Sequence, residues 1–375
     1  MRHASLPKSP SSSQGGQSVN EHCFIMKYII HIISIVVAFV LLFSAYGGRV
    51  DPNIWSLPSL VTLALPVIAI VVLVLLALLL IFRQWRSAVV LVAALFLSWP
   101  TLRLISPVNL LHPDVDSAKT QLKVLTMNVT QFNWTEGDDP SQSMRYILDQ
   151  NADIVVIQEG LVDFSYEQLK TVQPMLDELY QKYPYRKEAF FDVGILSKYP
   201  YTDVKSPALA ADSISYFIKA WDVQAPGGDL RVVSMHLSSL RFTVNDSKIL
   251  DSMNVPSNRK GRVKSVVRKL DYGFRTHVRQ VQAMRNLLDE TVGDVLVMGD
   301  MNDTPGSFAY RTLCGDDLLD AWAEAGCGPT YTFNAHHLYV KIDHILYRGD
   351  LELLTCRRDK KGDSDHYPLV AVFQR

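Results

Sequence analysis

The sequence predicts an α/β protein in which two packed mixed β-sheets are flanked by helices, preceded by three transmembrane helices. Three observations carry that prediction. Residues 26–107 are almost entirely apolar. From Gln121 onward, short β-rich runs alternate with helical stretches and hairpins, the pattern of sheets covered by helices. Polar residues able to bind metal or phosphate recur where the apolar runs end. The 375 residues divide unevenly on this reading: a disordered segment over 1–25, a membrane anchor over 26–106, a linker over 107–120 and a soluble domain over 121–375.

Residues Met1 to Gln17 are rich in Ser, Gly and Gln and are expected to lack structure. Met26-Lys27 stands directly before the first apolar run and offers a second place for translation to start. The runs cover Tyr28–Tyr46, Leu57–Phe82 and Ser87–Leu104, each near the roughly 20 apolar residues needed to cross a bilayer. The first reads as a span rather than a signal peptide, because no convincing small-residue cleavage site precedes Gly47-Gly48. Arg83 and Arg86, with no acid between them, place the second inter-span loop in the cytoplasm, and Lys27 agrees. Three crossings then put everything after Leu104 on the extracytoplasmic side. The spans contain no acidic residue and no polar cluster, which favours an anchor over a transport pathway. Pro107 to Lys119 reaches at most about 40 Å when stretched, so the soluble domain stays near the bilayer.

In the soluble part, Leu122–Asn128 reads as a strand, Ser141–Asn151 as a helix, and Asp153–Glu159 as a buried strand with two polar residues at its end. Phe164–Tyr183 follows as a helix and Val193–Lys198 as a strand. Ser213–Val223 and Leu230–Leu237 form a hairpin around Pro226-Gly-Gly228. Ser265–Thr291 is a long helical stretch. Asp294–Met298 is a buried strand leading into Gly299-Asp300, and Lys341–Arg348 and Tyr367–Phe373 complete the set.

Beyond Thr120 the chain holds 29 Lys+Arg against 34 Asp+Glu. Such a mildly acidic domain is not built for sequence-independent DNA binding by phosphate neutralisation alone. A bound metal would supply the missing positive charge. The four cysteines, Cys23, Cys314, Cys327 and Cys356, match no zinc spacing. Two readings stand for the last three: a Cys314–Cys327 bridge, or three free thiols.

Eight polar residues close six segments: Asn128, Glu159, His236, Asp300, Asn302, Asp343, Asp365 and His366. Strand ends are rigid mounts on which such groups converge. Gln158-Glu159, Gly299-Asp-Met-Asn-Asp303, Lys341-Ile-Asp-His344 and Ser364-Asp-His-Tyr-Pro368, in that order, resemble the endonuclease/exonuclease/phosphatase superfamily, over about Gln121–Arg375. The three-span anchor joined to such a domain also resembles membrane-bound bacterial members.

The resemblance implies a four-layer α/β sandwich and metal-assisted attack of water on a phosphate ester. It implies Mg2+, with Mn2+ as a substitute, held by Glu159 beside Asn128, with Asp365 as a further ligand or a loop-positioning residue. Asp300 would orient or deprotonate the water, and Asn302 would hold phosphate or that water. Asp343 and His366 would form a carboxylate–imidazole pair. His236 resembles the phosphate-binding histidine of the deoxyribonuclease and sphingomyelinase branches. Abasic-site endonucleases tend to have tyrosine there, which weighs against a dedicated repair role.

Met301 is a conservative apolar change within its motif. Asp303 and Thr304 read as caps of the following turn, His336-His337 as a solvated pair, and Ser197 as structural. Arg259, Lys260 and Arg262, with Lys264, Arg268 and Lys269, read either as a solvated helix face or as an anion-binding surface for lipid headgroups or nucleic acid.

Three functions follow. The leading one is a nuclease-like, membrane-anchored phosphoesterase acting on a phosphodiester or phosphomonoester. The alternatives are a lipid-headgroup phosphodiesterase, sphingomyelinase-like, and a catalytically silent scaffold. The expected partners are the phosphate-ester substrate and the bilayer, with no obligate protein partner inferred.

Overall fold

The computed structural model describes residues 14–111, 113–133, 142–160, 166–187, 193–210, 214, 217–240, 259–335 and 338–375. They group into two compact units. One joins the N-terminal helix as far as Phe43 to Leu65–Trp99, and the other joins Ser44–Ala64 to Pro100–Arg375.

In the first unit, helix α1 (Gln14–Tyr46) begins before Gln17, so helix replaces part of the segment expected to lack structure. Two helices are individually long and apolar enough to cross a membrane, over Ile25–Arg49 and Trp85–Ile105. The second apolar run is not one helix. It breaks at Ala64 into α3 (Leu65–Ile81), in this unit, and α2 (Leu57–Leu63), which belongs to the second. Pro66 explains the break: it has no N–H to donate, and its ring clashes with the carbonyl four residues earlier. The expectation of three transmembrane helices is corrected, among the described residues, to two, or three if the broken pair crosses as one. Within this unit His31 Nδ1 lies 3.1 Å from Ser87 Oγ, joining α1 to α4 (Trp85–Ile105).

The second unit holds two six-stranded sheets. Strands β1 (Gln121–Asn128), β2 (Ile154–Gln158), β3 (Tyr185–Lys187), β4 (Val193–Ser197), β13 (Glu352–Arg358) and β14 (Leu369–Gln374) form the first, in the order β13-β14-β1-β2-β4-β3. Strands β5 (Tyr201–Asp203), β6 (Ile218–Ala225), β7 (Gly228–His236), β8 (Val295–Asp300), β9 (Leu319–Asp320) and β12 (Asp343–Arg348) form the second, in the order β5-β6-β7-β8-β12-β9. Strands β10 (Phe333–Ala335) and β11 (Leu338–Val340) pair as a separate ribbon.

Alternation along each strand sorts side chains into layers. Leu122 and Val124 of β1 enter a core shared with Trp221, Val232, Leu296 and Ile345 of the other sheet. Leu125 and Met127 face outward, onto α5 (Gln142–Gln150) and α6 (Tyr166–Lys182). The second sheet is covered in the same way by α7 (Arg259–Asp289) and α8 (Phe308–Cys314). Helix, sheet, sheet and helix are therefore stacked in four layers, as the apolar pattern predicts. Cys314 and Cys356 are buried free thiols and Cys327 is an exposed one, so the Cys314–Cys327 bridge is absent.

Part of the apolar region belongs to this second unit. A Cβ on Gly48 would lie 1.8 Å from the carbonyl oxygen of Gly306, a contact only glycine permits. Arg311 ties the same junction by donating to the carbonyls of Gly306 and Ala45 and to Thr101 Oγ1.

Candidate active site

Strand register assembles the site. Asn128 pairs with Gln158 across β1 and β2, which puts Asn128 and Glu159 at one strand edge. In the other sheet His236 pairs with Asp300 in parallel, and Asp343 pairs with Asp300 from the opposite side. Gly299 allows the approach: a Cβ there would sit 2.0 Å from the Met235 carbonyl oxygen. Glu159 and Asn302 adopt left-handed backbone, with φ of 54° and 51°. Asn tolerates this, whereas for Glu it costs about 1–2 kcal/mol, a strain of the kind concentrated at functional sites.

The side chains meet where the sheet edges face each other. Asn128 Nδ2 donates to Glu159 Oε1 at 2.9 Å and to Asp300 Oδ2 at 3.2 Å. His236 Nε2 lies 3.6 Å from Glu159 Oε1 and 4.0 Å from Asp300 Oδ2. His366 Nδ1 is 2.9 Å from Asp343 Oδ2, and its Nε2 points at Asp300 Oδ2 from 3.7 Å. Asn302 donates its backbone N–H to Asp300 Oδ1 (2.7 Å) and its side-chain amide to the Leu237 carbonyl (2.9 Å). Seven of the eight residues singled out from sequence thus form one connected group. Asp365 sits at its margin, where its carboxylate accepts the Thr130 hydroxyl at 2.6 Å.

Burial and charge set the protonation. Burial, with Asp343 nearby, pushes the Asp300 carboxyl up to about 6. For His366, burial favours the neutral ring, but Asp343 and Asp300 outweigh it and raise the imidazole to about 10. Asp343 is held below the usual carboxylate range, its burial outweighed by His366.

Asp300, Asp343 and His366 offer ligand atoms within 4.8 Å of one another. His366 Nδ1 is already engaged by Asp343, which suits the trio to handling protons and phosphate oxygens. Glu159 is the better cation mount, with about a third (36%) of its side chain exposed. Asp343 Oδ1 is buried without a hydrogen-bond partner among the described residues. Carboxylate and amide oxygens in excess of their donors suit a hard divalent cation.

Several contributors carried no sequence signal. Thr332 Oγ1 accepts from the amides of Ile342 and Asp343, both at 3.0 Å, and so fixes the start of β12. The Phe333 ring meets His366 edge-on at 5.0 Å. Ser364, quoted only as part of its motif, donates to the Asn128 carbonyl at 2.7 Å and accepts from His366 N at 2.9 Å. The Ser197 hydroxyl bonds locally, at the turn to Tyr199, as a structural residue does. The side chains of Arg259, Lys260 and Arg262, and all of His336-His337, lie outside the described residues.

Residues 135–366, more than half of the chain, match the endonuclease/exonuclease/phosphatase family. Residues 27–105 match a second family, described as a domain of unknown function. No curated protein matches the sequence. Among solved structures, the chain is similar to D. rerio TDP2 complexed with single strand DNA product, at 14% identity and a TM-score of 0.44, covering 69% of this chain and 99% of that one. It is similar to sphingomyelinase C from Streptomyces griseocarneus, at 16% identity and a TM-score of 0.40, covering 68% and 99%. An endonuclease/exonuclease/phosphatase from Beutenbergia cavernae is similar at 18% identity and a TM-score of 0.44, covering 68% and 71%.

Proposed function

We propose that this chain, which belongs to the endonuclease/exonuclease/phosphatase family, is a membrane-held, Mg2+-dependent phosphodiesterase. Members of that family are metal-dependent phosphoester hydrolases. The observation that carries the reading is the convergence of Asn128, Glu159, His236, Asp300, Asn302, Asp343 and His366 in one hydrogen-bonded group.

Glu159, with Asn128 beside it, would hold the metal. When bound, Mg2+ neutralises charge on the phosphate and on the leaving oxygen. Asp300, raised toward neutral pH by burial, orients the attacking water and takes its proton. His366 is fixed through Nδ1 by Asp343, so its Nε2–H faces a phosphate oxygen. His236 flanks the same oxygens. One amide hydrogen of Asn302 is engaged by Leu237, and the other serves the water or the phosphate. Asp365 braces the loop through Thr130 and Ser364 rather than joining the metal.

The apolar helices would anchor the enzyme, with the catalytic unit on the extracytoplasmic side. Tethering raises the local concentration of lipid, which favours a second reading, hydrolysis of a lipid-headgroup diester.

The test offers the full-length chain DNA, RNA, phospholipid vesicles and bis(p-nitrophenyl) phosphate, each with Mg2+ and with chelator. Metal-dependent cleavage of one class is expected. A folded, metal-loaded protein that cleaves none of them would defeat the reading and favour a binding role.

A further inference from the structure

Beside the catalytic pair lies a cluster of three tyrosines and two cations that the reaction does not use. Tyr331 stands two residues before Phe333, whose ring rests on His366. Tyr367 directly follows His366, and its N–H donates to the Thr332 carbonyl at 2.7 Å. The Tyr331 and Tyr367 ring centroids are 5.8 Å apart, and Tyr339 meets Tyr331 edge-on at 5.1 Å. Tyr339 is 56% exposed, so its ring is open to a ligand.

Two cations complete the cluster. The Arg358 guanidinium lies 4.8 Å from the Tyr331 centroid and 5.2 Å from that of Tyr367, and Lys360 Nζ lies 5.7 Å from Tyr331. Main-chain pairing places them there. Arg358 pairs with Leu369, and the Asp359 N–H donates to the Pro368 carbonyl at 3.2 Å, so 358–360 runs beside the chain just past His366. Arg358 Nη1 donates to the Tyr331 carbonyl at 3.4 Å, and its Nε is buried with no hydrogen-bond partner among the described residues.

This composition separates two substrate chemistries. A quaternary ammonium headgroup needs open aromatic faces and no competing cation. Here Arg358 covers Tyr331 and Tyr367, so the open ring is Tyr339, where a quaternary ammonium would meet the like charge of Arg358 and Lys360 while a base would not. A nucleotide needs an aromatic surface for its base and cations for its phosphate, and the cluster provides both. We propose that Tyr331, Tyr339, Tyr367, Arg358 and Lys360 form a subsite for a nucleotide flanking the scissile phosphate, making single-stranded nucleic acid the preferred substrate class over choline-type lipid. This rests on the phosphodiesterase reading above.

The test compares two diesters with the same leaving group, the p-nitrophenyl ester of thymidine 5′-monophosphate and p-nitrophenylphosphorylcholine, on the full-length chain with Mg2+. The thymidine ester is expected to be cleaved with a kcat/KM at least about tenfold higher. Tyr339→Ala and Lys360→Glu should each shrink that gap by about five- to tenfold, with the change carried by KM, while Tyr339→Phe keeps it. Equal use of the two esters, or preference for the choline ester, would overturn the subsite.

A second readout needs no turnover: binding of a fluorescein-labelled single-stranded oligodeoxynucleotide with Ca2+ in place of Mg2+. Tyr339→Ala and Lys360→Glu should weaken it by about five- to tenfold. If neither ester is cleaved, the phosphodiesterase reading fails while the oligonucleotide still decides the subsite. Unchanged affinity in both variants sinks it.

Discussion

Two clusters of buried charge meet at the segment Lys341–His344, and they differ in what each leaves unpaired. Asp343 belongs to the catalytic group, while Lys341 and His344 belong to a cluster around Asp320. The charges of the Asp320 cluster are saturated, although the buried Nε2 of the His344 ring has no hydrogen-bond partner among the described residues. Asp320 Oδ1 accepts the amides of Trp322 (2.8 Å) and Ala323 (3.4 Å), and its Oδ2 accepts Lys341 Nζ (2.8 Å) and the Tyr310 hydroxyl (3.1 Å). Lys341 also donates to His344 Nδ1 at 2.7 Å, which suits a neutral imidazole; burial and Lys341 lower the pKa of His344 accordingly. The catalytic cluster keeps capacity in reserve: an orphan oxygen on Asp343, a partly exposed Glu159 and a carboxyl poised near neutrality. Paired charge holds a fold together, and unpaired charge facing a cleft is available for chemistry.

The largest effect should come from the reserve. His366→Ala and Asp300→Ala are each expected to lower kcat about 10²–10⁴-fold, as loss of an acid–base group does. The unfolding temperature should change little in Asp300→Ala and fall in His366→Ala, which strands the buried Asp343 carboxylate. A folded His366→Ala enzyme with undiminished turnover would break the comparison at its centre.

The saturated cluster should respond in the opposite way. Asp320→Asn strands the buried Lys341 ammonium and is expected to cost about 3–5 kcal/mol in denaturant unfolding, while turnover per folded molecule is retained. Burial works against ionising Asp320, but the Lys341 ammonium outweighs it and holds its carboxyl well below the usual range. A depressed folded-state pKa stabilises above the unfolded value of about 3.9, and that stabilisation is lost as pH falls further. Wild type should therefore lose stability below about pH 4, and Asp320→Asn should show a smaller decline over that window.

Glu159→Gln sharpens the assignment inside the catalytic group. Removing the accessible carboxylate should raise the Mg2+ concentration for half-maximal activity by at least about tenfold, with modest change in unfolding temperature. An unchanged metal requirement would shift the cation mount to Asp300 and Asp343.

The smallest effect belongs to charge that water already solvates. Lys264→Glu with Arg268→Glu, on the exposed face of α7, should change stability by less than about 0.5 kcal/mol. A large loss of binding to anionic vesicles or oligonucleotide in this variant would instead favour the anion-binding reading of the basic stretch.

How much was legible from sequence depended on locality. Strands β1, β2, β4, β7 and β8 announce themselves because each buries a short apolar run and ends in a polar residue. Strand β13 does not: Glu352-Leu-Leu-Thr-Cys-Arg-Arg358 is an edge strand with a bulge near Leu353, and its pairing comes from β14, not from its own pattern. Strands β3, β5 and β9 are three residues or shorter, below the length at which alternation can be read. The break at Ala64 is invisible to composition, which treats Leu57–Phe82 as one apolar run and does not weigh the backbone geometry of Pro66.

The sequence by itself determined the layered α/β class, the apolar character of the N-terminal third and the residue types of the site, since periodicity and motif spacing are local properties. Only the tertiary structure decided that Asp343 serves the site while Lys341 and His344 close on Asp320: alternation sends Asp343 and His344 to opposite faces of β12, strand pairing chooses which face meets what, and Lys341 reaches Asp320 from the irregular segment before the strand. It also decided that Gly48 must be glycine, since Gly306, some 260 residues later in the chain, arrives against it. The cluster of Tyr331, Tyr339, Tyr367, Arg358 and Lys360 shows no pattern in the chain either, because its members come together only when β13 pairs with β14 and the β10–β11 ribbon folds beside them.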